Sequence, residues 1–319
     1  MISTSERQTK RYTDLRGFLQ RRFGCRVHKI TLDAHFTCPN LDGTKAVGGC
    51  TFCHQGSGHF THGAYSIAEQ LARGKWSLRR HRTGDKFLAY FQRYTNTYAS
   101  IETLRSLYDE ALAVGDIVGL VVGTRPDCVP DPVLDLLEAT ARGTYVSIEY
   151  GLQSIHDRTL ALVNRAHGAA EFLDAVHRTA GRNVHTCVHV MLGLPGETRA
   201  DMLATARAIA GLPIDGIKIH LTYVLQHTVL GDQFLQGTYR PMEMREYVET
   251  VCDVLELLPP RLVIHRLTGD PPRDLLLAPR WALQKWQVLG AIDAEMDHRG
   301  SAQGQRWAAS NSRDPLDHS

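Results

Sequence analysis

Three of the seven cysteines lie close together in the segment FTCPNLDGTKAVGGCTFCHQGSGHF, residues 36–60. Cys38, Cys50 and Cys53 follow the spacing C-x11-C-x2-C, and the CxxC pair places two thiols on one tight turn. Three thiolates would leave one iron of a four-iron, four-sulfur cluster without a protein ligand, open to a substrate or cosubstrate. The alternative is a zinc site in which His54 completes a Cys3His set.

Polar residues and glycines that could bind ligands follow several apolar runs further along the chain. They are Gln92 and Asn96 after KFLAYF, Arg125 in GTRPD, Glu149 and Gln153 in VSIEYGLQS, Gly193 in MLGLPGET, and Lys218 and His220 in IKIHLTYV. Arg125 could hold a carboxylate or phosphate in bidentate fashion, or form an ion pair with Asp127. Glu149 in an apolar strand must be paired or bind a ligand.

The elements that must position these residues are strands alternating with helices. Six apolar runs at 27–32, 86–91, 117–122, 144–150, 184–192 and 215–221 are separated by segments with helical period. This alternation predicts βα units and a parallel sheet, hence an α/β fold of the partial (β/α)6 barrel type. Chemistry in such barrels lies at the C-terminal ends of the strands. Lys218 and His220, two apart on one strand face, would then contact substrate or cosubstrate.

The predicted organisation has four parts. We expect an N-terminal helix in residues 1–24, the barrel in 25–235, a small C-terminal α/β extension in 236–300, and a disordered tail in 301–319. The tail is polar and short of core-forming residues. In the extension we expect a helix opened by Pro241, a strand at 262–265 and a second helix that carries Trp286.

Composition predicts a cytoplasmic protein with no membrane partner. The chain is 43% hydrophobic but contains no apolar run of 18 residues, and it begins with the polar segment MISTSERQTKRY. An odd number of cysteines without a paired framework suits a reducing compartment. The four cysteines outside the loop are scattered singly, and we expect them to be core or incidental residues: Cys25, Cys128, Cys187 and Cys252.

Charge is distributed unevenly along the chain. Residues 1–100 contain 16 lysines and arginines against 6 acidic residues, whereas the remainder contains 20 against 28. The excess lies in two stretches, at residues 10–29 and 73–86. Clustered cations attract phosphates and would steer RNA toward that part of the protein. The alternative is that both stretches are solvated helix faces.

The segment TCPNLDGTKAVGGCTFCH, which follows an apolar run, resembles the cysteine motif of the radical S-adenosylmethionine (SAM) superfamily. Within it, the chain is similar to the Elongator/MiaB/NifB-type branch and to the family of YhcC and MnmL proteins, over residues 10–300. The resemblance implies a radical SAM barrel, a [4Fe-4S] cluster held by the three loop cysteines, and SAM as cosubstrate. The TRPD and GLPG stretches have counterparts in the family.

The resemblance also implies roles for individual residues. Phe52 would stack near the SAM adenine, or else anchor the loop as an apolar side chain. Gln92 and Asn96 would bind the methionyl amino group, or cap a loop. Glu149 with Gln153 would hold the ribose hydroxyls, and Gly193 would let the backbone approach the adenine. Arg125 would contact ligand or substrate.

The expected chemistry is reductive cleavage of SAM to a 5′-deoxyadenosyl radical that abstracts hydrogen from the substrate. Related proteins act on tRNA, so the first hypothesis is a tRNA-modifying enzyme that acts on the 5-substituent of the wobble uridine. An electron donor of flavodoxin or ferredoxin type would be a further partner. The alternatives are a radical SAM enzyme for a small metabolite or peptide, and a non-catalytic, zinc-bearing RNA-binding protein.

Overall fold

The computed structural model describes residues 10–54, 64–79 and 85–307. Nine strands lie in these ranges: β1 Val27–Leu32, β2 Lys86–Phe91, β3 Ile117–Thr124, β4 Tyr145–Gln153, β5 His185–Leu192, β6 Gly216–Leu221, β7 Val224–Leu225, β8 Val263–Arg266 and β9 Leu276–Ala278. Seven of them form one parallel sheet in the order β1-β2-β3-β4-β5-β6-β8. The sheet is curled, and the predicted α/β fold with a partial barrel and a C-terminal extension is confirmed.

Ten helices lie in the same ranges: α1 Leu15–Phe23, α2 Ile67–Arg79, α3 Ile101–Ala113, α4 Asp131–Ala141, α5 Asp157–Leu162, α6 Ala169–Thr179, α7 Arg199–Ala210, α8 Val229–Leu235, α9 Met244–Leu257 and α10 Lys285–His298. Side-chain hydrogen bonds cap the N-termini of several helices. Ser100 accepts from Thr103 N (3.2 Å) at α3, and Thr198 with Asp201 forms a capping box at α7. Helices pack on the outer face of the sheet, where Ile30, Leu120 and Ile148 belong to the main apolar core.

Helix α1 fills the inner face of the curled sheet at the N-terminal ends of the strands. Its buried Leu19 packs with Leu88, Val121 and Tyr145 of β2, β3 and β4. The helix begins at Asp14, whose side chain accepts from Gly17 N (2.8 Å), and it ends at Gly24, which has a left-handed backbone (φ +69°). The barrel is therefore closed at this end, and its interior opens toward the C-terminal ends of the strands.

The segment after β6 contributes to the barrel itself. The predicted strand at 262–265 forms β8, which pairs in parallel with β6 and completes the seven-stranded sheet. β7 and β9 form a separate antiparallel pair at the C-terminal side of the barrel. The helix predicted from Pro241 begins at Met244, and α10 contains Trp286.

The prediction of a disordered tail from residue 301 is wrong for residues 301–307. Gln303 is buried, and its amide donates to the carbonyls of Pro259 (2.8 Å) and Leu262 (2.9 Å) while its Oε1 accepts from Thr13 N (2.9 Å). A polar side chain here satisfies backbone groups that would otherwise be buried without partners, which composition does not reveal. Residues 308–319 lie outside the described residues. In the described part of the chain, no helix has the length and apolar character that a membrane span requires.

Candidate active site

The cysteine loop lies after β1, and the loop after α5 fixes it in place. The side chain of Asn164 donates to the carbonyls of Val47 (3.0 Å) and Gly49 (2.8 Å). In the opposite direction, Asn40 Nδ2 donates to the Asn164 carbonyl at 2.5 Å. Two asparagines therefore bridge the loop that precedes the CxxC turn to the C-terminal side of the barrel, where the chemistry of such barrels lies.

Cys50 is buried and receives hydrogen bonds at its sulfur. Cys53 N donates to the Cys50 carbonyl (2.9 Å), which is the tight turn that the CxxC spacing predicts. Arg165 Nη1 lies 3.4 Å from Cys50 Sγ and Asn40 Nδ2 lies 3.6 Å from it. The Arg165 guanidinium is itself buried and is held by a bond from Nη2 to the Gly151 carbonyl (2.7 Å). A positive charge fixed at this sulfur would stabilise the negative charge of a cluster bound there.

The donor set of the loop fits an iron–sulfur cluster better than a mononuclear zinc. A tetrahedral zinc with bonds of about 2.3 Å to sulfur brings its ligand sulfurs to about 3.8 Å from one another. In residues 10–54, 64–79 and 85–307, the group of ligand atoms that come within 4.8 Å of one another belongs to Glu149, Cys187 and His265, and not to the loop cysteines. The loop thiols are therefore spread more widely than one zinc ion requires.

Asn96 joins the C-terminal ends of β2 and β3 and has a free acceptor. Its backbone N (3.2 Å) and Nδ2 (2.8 Å) both donate to the Gly123 carbonyl, and its carbonyl accepts from Tyr108 OH (2.8 Å). Asn96 Oδ1 is buried and has no hydrogen-bond partner within the described protein. Gln92 lies half-buried at the end of β2, beside Gly123. An unpaired buried acceptor between two strand ends fits a ligand ammonium group.

Phe52 is half-buried, and the contacts that the structure gives it are apolar. It packs against the group formed by Val224, Leu230, Tyr239 and Ala278, which belongs to β7, α8 and β9. These contacts anchor the CxxC turn to the C-terminal part of the chain, which is the second of the two roles that the sequence allowed for Phe52. Stacking on adenine stays a prediction.

Gly193, at the end of β5, has a backbone conformation that favours glycine (φ +82°). A Cβ at this position would lie 2.8 Å from Met242 Cγ, and the Gly193 carbonyl accepts from Tyr239 OH (2.7 Å). Glycine is therefore required both by the turn and by the close approach of Met242. Gln153, at the end of β4, also has positive φ (+75°) and is half-buried.

Arg125 contacts the protein with its whole guanidinium group. Nε and Nη2 donate to the two carboxylate oxygens of Asp127 (both 2.9 Å), and the remaining donors reach the carbonyls of Arg165 (2.9 Å) and Ala166 (3.2 Å). Burial would raise the pKa of Asp127, but the bonds from Arg125 hold it well below its usual range. Lys45 of the cysteine loop also pairs with Asp127 (2.6 Å). This arrangement is the ion pair that the sequence left open, and it positions Arg165.

Glu149 lies at the centre of a network inside the barrel. Its carboxylate accepts from Lys29 Nζ (2.9 Å), Tyr90 OH (2.6 Å) and His189 Nε2 (3.0 Å), and it forms an ion pair with Lys218. The Lys218 ammonium also donates to Tyr90 OH (2.9 Å). Five strands contribute to this network, so it occupies the concave face of the sheet, directly above the residues that α1 covers. Both oxygens of Glu149 are satisfied by the protein, as a structural ion pair requires.

The network is held in defined charge states. Burial would raise the pKa of Glu149, but the charges of Lys218 and Lys29 outweigh burial and hold it well below its usual range. Burial lowers the pKa of Lys218 to about 8, against the attraction of Glu149. Burial, with the charge of Lys218, lowers the pKa of His189 to about 4. At neutral pH the network therefore contains the Glu149 carboxylate, the Lys218 ammonium group and a neutral His189 imidazole, and Lys29 bonds to the same carboxylate.

Glu149 is also one of three side chains that could hold a metal ion, together with Cys187 and His265. The two lysines bonded to the same carboxylate would repel a cation at that position. His265 Nδ1 lies 3.8 Å from Glu149 Oε1, beyond hydrogen-bonding distance. This group is therefore better described as part of the charged interior than as a metal site.

The predicted site residues thus fall into two groups. Asn96, Arg125 and Gly193 lie with the cysteine loop at the C-terminal ends of the strands, whereas Glu149 and Lys218 lie deeper, inside the barrel. His220 is two residues beyond Lys218 on the same inner face, with its ring centroid 5.2 Å from that of His189. The ribose contact predicted for Glu149 is not favoured by this placement, because the carboxylate has no free oxygen.

Sequence reasoning missed four residues that the structure places in the site: Lys29, Tyr90, Arg165 and His189. Lys29 and His189 are polar side chains in otherwise apolar strands, and both occupy the alternate positions that face the inside of the barrel. That pattern could have predicted their place in the site. In the sequence, Tyr90 cannot be distinguished from an ordinary aromatic residue of the core. Arg165 follows a short helix in an irregular segment, and no local pattern predicts that its guanidinium reaches Cys50.

Comparison with known proteins relates most of the chain to one superfamily. Residues 44–209 match the family model described as "Radical SAM superfamily", and residues 214–298 match "Radical_SAM C-terminal domain". "Uncharacterized protein YtqA" of Bacillus subtilis is 43% identical over 93% of this chain and 92% of its own. "Protein YhcC" of Escherichia coli is 40% identical over 91% and 95%.

More distant similarity reaches larger proteins. A "tRNA uridine(34) acetyltransferase" of Dehalococcoides mccartyi is 32% identical over half of this chain, which spans 35% of that protein. The solved structure of Elp3 from the archaeon Methanocaldococcus infernus superposes with a TM-score of 0.66 at 17% identity, covering 87% of this chain and 64% of Elp3. That likeness supports the fold.

Members of this superfamily use a [4Fe-4S] cluster and SAM, and the open cysteine loop at the mouth of the barrel fits both cofactors. Cys38, Cys50 and Cys53 supply the thiols, Arg165 supplies a charge at one sulfur, and Asn96 Oδ1 is free to bind an ammonium group. By its sequence over both matched regions and by its fold, this chain belongs to the radical SAM superfamily.

Proposed function

We propose that this protein modifies tRNA, and that it acts on the 5-substituent of the wobble uridine. The observation that carries the proposal is the similarity over 168 residues to a protein named tRNA uridine(34) acetyltransferase, since position 34 is the wobble position. Similarity to "Elongator complex protein 3" of Homo sapiens, 24% identical over 60% of this chain, points in the same direction.

The residues of the chain have separable tasks in this proposal. Cys38, Cys50 and Cys53 hold the cluster, Arg165 stabilises the charge at Cys50, and Asn96 Oδ1 accepts from the amino group of SAM. When bound, the reduced cluster would give one electron to SAM, and the methionine and 5′-deoxyadenosyl radical so formed would supply the means to take a hydrogen atom from the substrate. The protein orients the substrate and excludes water from the barrel.

The closed end of the barrel supports entry of a single base from one side. Because α1 covers the N-terminal ends of the strands, substrate enters and product leaves past the cysteine loop. An anticodon base already lies in a loop, so it can be presented to a deep interior at little cost in lost stacking.

The basic N-terminal third gives less support than its composition predicts. Arg16, Arg21, Arg22 and Arg26 are exposed on or just after α1, at the end of the barrel opposite to the cysteine loop. Lys10 and Arg11 form ion pairs with acidic residues of α10, and Lys75 and Lys86 form ion pairs with Asp116. The Arg79 side chain, Arg80 and Arg82 lie outside the described residues. This placement favours the second candidate, a radical SAM enzyme for a small metabolite or peptide.

The two candidates are separated by one reconstitution. The protein and its Cys50→Ala variant are loaded anaerobically with iron and sulfide, given SAM and dithionite, and assayed for 5′-deoxyadenosine with and without tRNA from cells that lack the gene. We expect product from the wild type alone, stimulated by that tRNA and accompanied by a mass change in one wobble nucleoside. Product formation that tRNA leaves unchanged would favour the metabolite enzyme. A colourless protein with one zinc and no product would refute both candidates.

A further inference from the structure

A cleft of about 840 Å³ lies beside the cysteine loop. Pro39 and Lys45 of that loop line one wall, and the segments that directly follow β2 and β3, at residues 97–99 and 126–130, line the next. The opposite wall is α6, a helix of the outer layer. The cleft therefore opens at the same edge of the sheet as the mouth of the barrel. Its volume lies within the range of about 300–1,000 Å³ that is usual for ligand sites.

Tyr98 gives this cleft an aromatic surface. The side chain is half-buried, and its hydroxyl donates to Thr44 Oγ1 of the cysteine loop at 2.9 Å. This bond holds the phenol ring against the loop, and Pro39, Pro126 and Val129 add apolar groups to the same cleft. An aromatic ring in an apolar cleft is a platform on which a nucleic-acid base can stack, whichever base it is.

The charges in the cleft are divided between its two walls. Lys45, on the loop wall, is 39% exposed and pairs with Asp127 (2.6 Å), whose charge is also neutralised by Arg125. The α6 wall has two exposed carboxylates, Glu171 and Asp174. A phosphate is attracted to the loop wall and repelled by the α6 wall, whereas a carboxylate can accept from the exocyclic amino group of a base. A nucleotide in this cleft would thus place its backbone at the loop and its base edge toward α6.

We propose that this cleft binds the nucleotide next to the one that is modified, with its base stacked on Tyr98 and its phosphate at Lys45. The proposal rests on the proposed function and assigns a second contact to the same RNA. A wobble base that leaves the anticodon loop to enter the barrel takes away a stacking partner of its neighbour, and Tyr98 replaces that partner. The cysteine loop borders both the mouth of the barrel and the cleft, so consecutive nucleotides can reach both.

SAM also carries a base, and the position of the cleft separates the two ligands. The residues predicted to bind the cosubstrate follow β2 and β5 at the mouth, and neither Asn96 nor Gly193 lines the cleft. We therefore expect substitution at Tyr98 to change the affinity for RNA and to leave the affinity for SAM unchanged, as measured by equilibrium dialysis. An unchanged SAM affinity also shows that the variant is folded.

The test compares three anticodon stem-loop RNAs that carry the same wobble nucleotide, 5-carbamoylmethyluridine. One is intact, and in the other two the nucleotide directly 5′ or directly 3′ of the wobble position is abasic. Binding is measured by fluorescence anisotropy with the anaerobically reconstituted enzyme and SAM, without reductant, so that no turnover occurs. We expect one of the two abasic RNAs to bind the wild type about tenfold more weakly than the intact RNA, which is the effect of losing one stacked base.

Variants of Tyr98 assign this loss to the cleft. Tyr98→Ala should bind the intact RNA about tenfold more weakly and should lose nothing further with the abasic RNA that the wild type binds poorly, because the same contact is already missing. Tyr98→Phe keeps the ring, loses only the bond to Thr44 and should bind as the wild type does. Trp286→Ala is the matched control, since Trp286 is an exposed aromatic residue of α10 outside the cleft.

Lys45 is tested through the salt dependence of binding. Lys45→Gln should weaken all three RNAs alike and should reduce the slope of log affinity against log salt concentration by about one, as loss of one phosphate contact does. Lys285→Gln is the matched control, because Lys285 is similarly exposed (36%) and similarly paired, with Asp270 at 2.8 Å, but lies outside the cleft. Equal slopes for Lys45→Gln and the wild type would overturn the phosphate contact.

The remaining outcomes are distinct. A wild type that binds all three RNAs equally, or a Tyr98→Ala variant that binds the intact RNA as the wild type does, would overturn the nucleotide site while tRNA modification stands. Equal losses in Tyr98→Ala and Tyr98→Phe would mean that the tyrosine only anchors the cysteine loop, and loss of SAM affinity with RNA binding intact would assign the cleft to the cosubstrate; either result overturns the site. If no RNA binds better than a hairpin of unrelated sequence, the proposed function fails and the site fails with it.

Discussion

Replacement of Glu149 by glutamine should strongly destabilise the barrel. Glu149 is fully buried and is the carboxylate that Lys29 and Lys218 share. The amide keeps the shape of the side chain but leaves two ammonium groups without a counter-charge, and its own N–H groups oppose those donors. Removing one member of a buried ion pair costs about 3–5 kcal/mol. We therefore expect the free energy of unfolding to fall by about that amount.

The assay is urea unfolding of the cluster-free chain, followed by far-UV circular dichroism. With a slope of about 3 kcal/mol/M, the expected loss lowers the midpoint by about 1–1.7 M. Glu138→Gln is the matched control: Glu138 contacts Arg182 at the surface (2.8 Å), where an ion pair contributes about 0–1 kcal/mol. Adding Lys218→Met to Glu149→Gln should restore part of the loss, because it removes one of the uncompensated charges.

The pH dependence gives an independent check. The folded-state pKa of Glu149 lies below the value of 4.5 expected for an unperturbed glutamate. Its contribution to stability is therefore complete above that pH and is lost as the pH falls through the lower folded-state value. The difference between wild type and Glu149→Gln should shrink below about pH 4.5, where the wild type loses the contribution of its carboxylate. A variant within 1 kcal/mol of wild type at pH 7 would refute the description of Glu149 as the counter-charge of the interior.

Three further changes test the mouth of the barrel. Arg165→Gln removes the charge 3.4 Å from Cys50 Sγ and should lower the reduction potential of the reconstituted cluster. The potential of Arg165→Lys should lie between those of Arg165→Gln and the wild type. Protein-film voltammetry compares the three proteins, and equal potentials would exclude an effect of Arg165 on the cluster. Asn96→Ala should weaken SAM binding about tenfold in equilibrium dialysis, from loss of one charged hydrogen bond, and an unchanged affinity would remove Asn96 from the site. Gly193→Ala should lower the midpoint of thermal unfolding, because a Cβ would lie 2.8 Å from Met242 Cγ. Adding Met242→Ala should restore the part of the loss that comes from this clash, but not the part that comes from the backbone angle φ of +82°.

Strands were the most predictable feature of the fold. Most of the six apolar runs contain valine or isoleucine, and β2, β3, β4 and β6 are buried along almost their whole length, as strands covered on both faces require. The bounds of the six runs differ from the structure by at most three residues. The role of β8 was not predictable in the same way. Its four residues follow a long excursion through α9, and nothing in their composition distinguishes a strand of the main sheet from one in a separate extension.

The site was predictable where local spacing determines geometry. The CxxC turn follows from two intervening residues, and the shared face of Lys218 and His220 follows from the period of a strand. The partner of Glu149 did not follow, because Lys29 is 120 residues away and only the curl of the sheet brings the two together. Arg125 was undecided for the same reason: its donors reach carbonyls 40 and 41 residues further along the chain.

The position of β8 has a consequence for the order in which this protein is made. β8 lies beside β6 on one side, and on the other Ile264 N donates to the carbonyl of Thr13 (2.7 Å). The edge of β6 therefore stays unpaired, and the N-terminal segment has no strand to bind, until residue 264 has left the ribosome. An unpaired strand edge in a partly synthesised chain invites association with other chains. Ribosome-bound fragments that stop at residue 235 should accordingly recruit chaperones, whereas fragments in which β8 has emerged should not.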